Sequence, residues 1–134
     1  MKRIVMIISS LLALTATAED LTGVNSLVCS PAQAQICFET GVCYAATPWE
    51  LSVPDFVVID LKKNLISTTK ASNLKRSTTF SKIENTEGVL SFQGFENGRA
   101  FSFVVHLPTG RMTVAIAEDG FSVSVFGACA DKRL

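Results

Sequence analysis

The chain has 134 residues, and its twelve lysines and arginines balance its twelve aspartates and glutamates, which gives a formal net charge of zero. A neutral chain lacks the basic surface that a general nucleic-acid-binding protein needs, so we expect no nucleic-acid partner. Phenylalanine is abundant, with nine residues, and valine, serine and threonine are frequent, which favours β-strands over helices. The length suits one domain with a single hydrophobic core.

The first eighteen residues are typical of a secretory signal peptide. Lys2 and Arg3 precede an apolar run over 4–14, and residues 16–18 (Ala-Thr-Ala) supply the small residues that signal peptidase recognises. The apolar run is too short to span a bilayer as a helix, and no second long apolar stretch follows. We therefore predict a mature chain of residues 19–134, periplasmic or secreted, with no transmembrane segment.

Four cysteines lie in the predicted mature chain: Cys29, Cys37, Cys43 and Cys129. An even number of cysteines in an exported protein indicates disulfides, and the lack of a Cys-x-x-Cys pair argues against a metal site. Loop-closure entropy does not choose between pairing 29–129 with 37–43 and pairing 29–37 with 43–129. We favour the first pairing, because residues 37–43 have the composition of a tight turn in which Gly41 takes a positive φ.

In chain order, residues 19–55 are predicted to form an irregular, disulfide-bonded segment, in which 20–28 is either a short helix or extended. The Cys37–Cys43 turn and the prolines at 48 and 54 argue against a long regular element there. Beyond this segment, stretches rich in β-branched and aromatic residues alternate with turn sequences, of which Asn97-Gly98 is the strongest hairpin signal. The predicted strands are 56–61, 65–70, 78–83, 89–95, 99–107, 112–117 and 121–128.

The connections between these strands are short, so the strands must pair sequentially and antiparallel. Alternation places Met112, Val114 and Ile116 on one face of their strand and Thr113 on the other. A sheet with one apolar face curls to bury that face. We therefore predict an all-β, antiparallel up-and-down meander of about seven strands. It closes into a small barrel or half-barrel, and disulfides staple the N-terminal segment over one end or edge.

Three features resemble small uncharacterised exported proteins of Gram-negative bacteria, particularly of alphaproteobacterial type. They are the Cys-x5-Cys turn, the strand 56–61, and the closing sequence Phe126-Gly-Ala-Cys129 after a glycine turn. This resemblance implies export and a disulfide-stapled fold, and it brings no function or catalytic residue with it. Exported lysozyme inhibitors are similar to this chain only in size, disulfides and predicted barrel.

Two titratable side chains are candidates for chemistry. His106, the only histidine, shares the wetter face of its strand with Ser102 and Val104, where it could act as a general base. No nucleophile motif accompanies it, so we interpret it as a surface or rim residue. Asp60 interrupts an apolar strand, but alternation turns it away from the core, which predicts a solvent-facing carboxylate near Lys62.

Aromatic residues suggest two further sites. Trp49, the only tryptophan, lies in the irregular segment and either anchors a partner or plugs an end of the barrel, and we predict the plug. Five phenylalanines could line a cavity for a lipid-like ligand, but a barrel of about seven strands is narrow enough to be filled by its own side chains, so we predict a packed core. These five are Phe80, Phe92, Phe101, Phe103 and Phe121.

A run of cations between residues 62 and 82 is the best sequence clue to a binding surface, since no acidic residue interrupts it before Glu84. A patch of one sign could bind an acidic envelope protein, an anionic lipid headgroup or a polyanion. The more common reason for such lysines is protection of edge strands against aggregation. The run consists of Lys62, Lys63, Lys70, Lys75, Arg76 and Lys82.

Together these patterns predict a non-enzymatic binding or interaction module of the cell envelope. The alternatives are a lipocalin-like carrier of a small apolar ligand, and an inhibitor of an envelope enzyme such as lysozyme. No cofactor and no metal is expected. An enzyme would need converging titratable groups, which one histidine and scattered carboxylates do not indicate.

The leader sequence makes a direct prediction. Because residues 16–18 fit the cleavage pattern, protein recovered from the periplasm should begin at Glu19, and its intact mass should be four hydrogens below that of the all-thiol chain. A periplasmic species that retains Met1, or a protein confined to the cytoplasm, would contradict export.

Overall fold

The computed structural model describes residues 19–133, so the predicted signal peptide lies outside the described residues. Within 19–133 the chain forms nine strands and two single-turn 3-10 helices, Pro48–Leu51 and Lys70–Ser72. The strands are β1 (Ser26–Phe38), β2 (Cys43–Ala46), β3 (Val57–Asp60), β4 (Leu65–Thr68), β5 (Ser77–Thr86), β6 (Val89–Glu96), β7 (Arg99–His106), β8 (Arg111–Glu118) and β9 (Phe121–Asp131). All seven strands predicted beyond residue 55 are present, as β3 to β9.

The sheet closes on itself. Strands β3 to β9 pair in sequential order, all antiparallel, and β1 joins the two ends of this series by pairing with both β3 and β9. The result is an eight-stranded antiparallel barrel, with β2 as an extra strand on β1. The predicted all-β barrel is confirmed, and of its two forms the closed one is present.

The prediction of an irregular segment over 19–55 is wrong for β1, which is the longest strand of the described chain. Leu27 and Cys29 point into the barrel, and after a bulge between Pro31 and Gln33 the inward positions become Ala34 and Ile36. The bulge changes the inward positions from odd to even numbers, which erases the alternation that identifies a strand in sequence.

Pro31 is tolerated within β1 because no strand pairs with its outer edge at that point. On this edge β3 pairs with β1 as far as Cys29, and β2 pairs with β1 from Ala34 onward. The residues of β1 between these two positions have no partner strand on this edge, so no amide donor is needed there. On the other edge Pro31 faces Gly127 of β9. A Cβ at Gly127 would collide with the carbonyl of Ser30, so glycine permits the close approach of the bulge.

The barrel interior is filled mainly by side chains. The ring of Phe92 stacks on that of Phe103, with centroids 4.9 Å apart, and lies tilted against that of Phe80 at 4.2 Å. Phe101 meets Phe103 edge-on at 5.6 Å. These four rings are buried, as predicted, whereas Phe121 is half-buried. The aliphatic side chains around them interdigitate as in other protein interiors. They include Leu27, Ile59, Leu90, Val105, Met112, Val114, Val123 and Val125.

Both disulfides of the favoured pairing are present. Cys29 and Cys129 are direct partners on β1 and β9, and Cys37 and Cys43 are direct partners on β1 and β2. Gly41 has a φ of +88°, as the tight turn requires. The first disulfide crosses the seam that closes the barrel, and no free cysteine remains within residues 19–133.

The two ends of the barrel differ. At one end, here called the closed end, the backbone N–H of the fully buried Leu21 donates to the carbonyl of Leu107 at 2.8 Å. The opposite end, here called the cap end, carries the connections 39–42, 69–76, 97–98 and 119–120 and the segment 47–56. Among the described residues, no helix has the length and apolar character needed to cross a membrane.

The register of β8 predicts two unequal effects. Val114 is 4% exposed inside the barrel, so Val114→Asp buries an unpaired carboxylate and should lower the free energy of unfolding by about 3–5 kcal/mol. The neighbouring Thr113 points to solvent, so Thr113→Asp should change the free energy of unfolding by less than about 1 kcal/mol. Urea denaturation measures both values, and equal losses would show that the register is different.

Candidate functional site

The segment 47–56 covers the cap end of the barrel. The chain leaves the edge of β1 at Ala46, forms the 3-10 helix Pro48–Leu51 and returns to the same edge at Val57. Proline suits the first position of this helix, because its fixed φ matches the helix and no amide is needed there. Pro48 is buried, and Leu51 and Val53 pack against the core. We call this segment the cap.

Trp49 does not plug the barrel, and that prediction is wrong. Its side chain is 68% exposed, whereas its neighbour Pro48 is buried. Successive residues of a single 3-10 turn point in different directions, about 120° apart, so only part of the turn can face the core. Pro48, Leu51 and Val53 form the plug, and Trp49 projects outward from it.

Two arginines hold the cap to the barrel, and the first is Arg76. Its Nη1 donates to the carbonyl of Ser52 at 2.9 Å, while its Nε and Nη2 donate to Oε1 of Glu96 at 3.2 and 3.0 Å. The backbone of Arg76 is fixed as well, since its N–H donates to Oγ1 of Thr68 at 3.0 Å. One guanidinium therefore connects the cap, the start of β5 and the end of β6.

Arg99 makes the second connection. Its Nη1 donates to the carbonyl of Leu51 at 3.1 Å, and its Nε donates to Oε2 of Glu118 at 3.0 Å. Arg99 stands at the start of β7 and Glu118 at the end of β8, so the two side chains meet across adjacent strands. As with Arg76, a carboxylate on the barrel orients a guanidinium toward a carbonyl of the cap.

The two arginines bind the carbonyls that the 3-10 helix leaves without internal partners. Leu51 is its last residue, and Ser52 follows in the left-handed conformation, with a φ of 60°. Cations near the C-terminal carbonyls of a helix are favourable, and each guanidinium satisfies an acceptor that the fold would otherwise leave to water. Ion pairs as exposed as these contribute little to global stability, so their main effect is to position the cap.

A cavity of about 90 Å³ lies beneath the cap. It is much larger than the space that one water needs, and smaller than the roughly 300–1,000 Å³ of sites for drug-sized ligands. A short apolar group fits such a volume, and a whole lipid does not. Polar side chains, including Arg76, Glu96 and Arg99, stand at its rim. The apolar lining comprises Pro31, Val53, Pro54, Val57, Ile66, Phe101, Phe103, Met112, Val114, Ile116 and Val125.

The structure divides the predicted basic patch between the two ends of the barrel. Lys62 and Lys63 lie in the β3–β4 turn at the closed end, and Lys82 lies on β5 beyond its last pairing with β4, toward the same end. Lys70 and Lys75 lie in the connection 69–76 at the cap end. Arg76 is also at the cap end, where Glu96 balances its charge.

The other two candidates have structural contacts. His106 is half-exposed at the end of β7, and its Nδ1 lies 2.8 Å from Oγ1 of Thr109 in the following turn. Asp60 accepts hydrogen bonds at Oδ1 from the backbone N–H groups of Lys62 and Lys63, both at 3.0 Å. The half-buried Asp60 carboxylate therefore organises the β3–β4 turn, as an aspartate commonly does at such a position.

Two carboxyl groups with displaced pKa values are also remote from the cap. Hydrogen bonds from the side chain and backbone of Thr22 hold the pKa of Asp20 below its ordinary value, and those of Arg133 do the same for Asp131. Both lie at the closed end, near the termini of the described chain. Across residues 19–133, no three histidine, cysteine, aspartate or glutamate side chains cluster as metal ligands.

Sequence reasoning missed the arginines that hold the cap. A signal for one pair existed, because extending the predicted hairpin of 99–107 with 112–117 by one residue places Arg99 opposite Glu118. No comparable signal exists for Arg76, which precedes its strand, or for the cap carbonyls, which lie 24 and 48 residues from their donors.

Comparison with known proteins assigns this chain to no family. No protein-family model, no curated protein and no solved structure matches this chain. The resemblance to small exported bacterial proteins therefore stays a prediction.

The arginine contacts predict a local effect of substitution. Arg99→Met removes the donor to the Leu51 carbonyl and should increase hydrogen exchange of the Ser52 and Val53 amides by roughly tenfold, as expected for the loss of a charged hydrogen bond. Exchange within β7 and β8 should change little. Arg111→Met, at the exposed start of β8, is the matched control. Unchanged exchange in the cap would show that Arg99 does not hold it.

Proposed function

We propose that this protein is a non-enzymatic binding module of the cell envelope, exported to the periplasm or secreted, and that the cap end of its barrel is the binding surface. The two disulfides and the leader-like first eighteen residues support an oxidising compartment outside the cytoplasm. The rigid, cross-linked barrel suits a scaffold that presents a surface formed by its connections.

The distribution of exposed apolar side chains is the observation that carries this proposal. Ten large hydrophobic side chains of the described residues are exposed, and those at the cap end are the most exposed: each is at least half exposed, and Trp49 and Phe95 reach 68% and 66%. Those elsewhere on the described chain are all less than half exposed. The cap-end group is Val42, Tyr44, Trp49, Phe56, Leu74 and Phe95, and the others are Ile83, Val89, Val104 and Phe126.

Such a concentration favours recognition. Exposed aromatic side chains grouped on one surface are typical of interaction sites, and tryptophan is the residue most enriched among those that dominate binding energy. Trp49 projects from a segment that two arginines fix in place, so little conformational entropy is lost when a partner covers it. Lys70 and Lys75 at the same end add a charge of one sign, which favours an acidic partner.

The position of His106 supports the non-enzymatic interpretation. The histidine lies at the end of β7 that faces away from the cap, on the opposite end of the barrel from the cavity. A general base must come within hydrogen-bonding distance of the proton that it removes, and the cavity under the cap offers its occupants no histidine.

A photocrosslinking experiment in cells tests the cap end as the binding surface. Benzoylphenylalanine replaces Trp49 in one variant and Val104 in a second. Val104 is also exposed, but it lies in mid-strand on the outer wall of β7. After irradiation of intact cells, we expect discrete adducts from position 49, detected by intact mass in the periplasmic fraction.

Adducts of equal yield from both positions, or none from position 49, would overturn the proposal. Adduct mass separates a protein partner from a small ligand. The unsubstituted protein, irradiated in the same way, gives the background level of adducts. Urea denaturation verifies that the two variants are equally stable.

A further inference from the structure

A second depression lies beside the cavity under the cap. It is formed by the end of β4, the connection 69–76 and the start of β5. Lys70 and Lys75 line the depression, whereas the lining of the cavity is largely apolar. The two adjoin, so together they have an apolar inner part and a cationic outer part. Four residues line both parts: Ser67, Thr68, Arg76 and Ser77.

The charge of the outer part is positive and uncompensated. Within residues 19–133, Lys70 and Lys75 form no ion pair, and no carboxylate lines the depression. Arg76 differs from them, because Glu96 neutralises it. Two cations beside a low-dielectric apolar surface attract an anion more strongly than the same cations in open water.

We propose that this site binds an amphiphile with an anionic head group, whose apolar chain enters the cavity and whose head lies at Lys70 and Lys75. The inference rests on the proposed function, since it assigns a ligand class to the same cap end. A hydrocarbon chain without the head group would make no contact with the two lysines, and a head group without the chain would leave the apolar cavity unfilled. A carboxylate or a phosphate on a hydrocarbon chain satisfies both parts of the site.

The cavity volume limits the chain. A space of about 90 Å³ admits the end of a hydrocarbon chain and not its full length. Each methylene that moves from water into the apolar interior should tighten binding about fourfold. Affinity should therefore rise with chain length and then level off when the cavity is full. This dependence distinguishes a chain inside the barrel from a chain adsorbed on its surface.

The test uses the disulfide-bonded protein and a series of straight-chain carboxylates from hexanoate to dodecanoate, each below its micelle concentration. Trp49, the only tryptophan, reports binding at the cap by fluorescence, and calorimetry gives the stoichiometry. We expect one molecule bound per chain, with the rise and plateau in affinity described above. Decanol and decyltrimethylammonium have the same chain with a neutral and a cationic head, and they should bind at least tenfold more weakly than decanoate.

Charge reversal tests the head-group position. Lys70→Glu with Lys75→Glu should weaken decanoate binding at least tenfold. Lys62→Glu with Lys63→Glu changes the net charge equally at the closed end, so binding should stay within twofold of the unaltered protein. Ile116→Phe, which fills part of the cavity, should bring the plateau to a shorter chain. If this variant does not fold, the chain-length series on the unaltered protein still decides whether the hydrocarbon chain enters the cavity.

Several results would overturn the inference. They are the absence of saturable decanoate binding, equal affinity for decanol, and equal weakening by the two charge reversals. Sedimentation with phosphatidylglycerol vesicles without binding of soluble carboxylates would also overturn it, because it would indicate surface docking on a bilayer. If photocrosslinking from position 49 succeeds while decanoate does not bind, the proposed binding surface stands and only the ligand class fails.

Discussion

The seam between β1 and β9 is the constraint on which the rest of the structure depends. The two strands pair from Leu27 to Phe38, and this pairing turns an open meander into a closed barrel. Closure satisfies the backbone groups of two long edges and gives the inward side chains a common interior. Cys29–Cys129 fixes the seam covalently, and its loop of 100 residues makes it the more effective restriction of the unfolded chain.

The cap begins and ends beside the irregularity of the same strand. The outer edge of β1 has a gap at the bulge near Pro31, with β3 on one side of the gap and β2 on the other. The chain between these two strands, residues 47–56, crosses the end of the barrel. The Cys37–Cys43 disulfide links β2 to β1 before this segment begins. The segment that covers the cavity is therefore joined to β1 on both sides of its bulge.

The two ends of the barrel are covered in different ways. The closed end uses an apolar plug, Leu21, with a backbone hydrogen bond to Leu107. The cap end uses a short segment whose Pro48, Leu51 and Val53 face the core and whose carbonyls are bound by Arg76 and Arg99, each oriented by a glutamate. A cavity lies beneath this cap. This difference makes the cap end the place where binding is proposed.

The sequence by itself determined the strands β3 to β9 and their antiparallel order, because period-two alternation and hairpin turns are local properties. It left two disulfide pairings open, and the turn over 37–43 favoured the pairing that the structure contains. Tertiary structure decided the rest. The bulge in β1 interrupts its alternation, so the sequence did not indicate this long strand. The outward direction of Trp49 follows from how the cap packs. The cations between residues 62 and 82 lie at two ends of the barrel because β4 runs between them. The partners of Arg76 and Arg99 on the cap lie far away in sequence, so only the closed barrel brings them together.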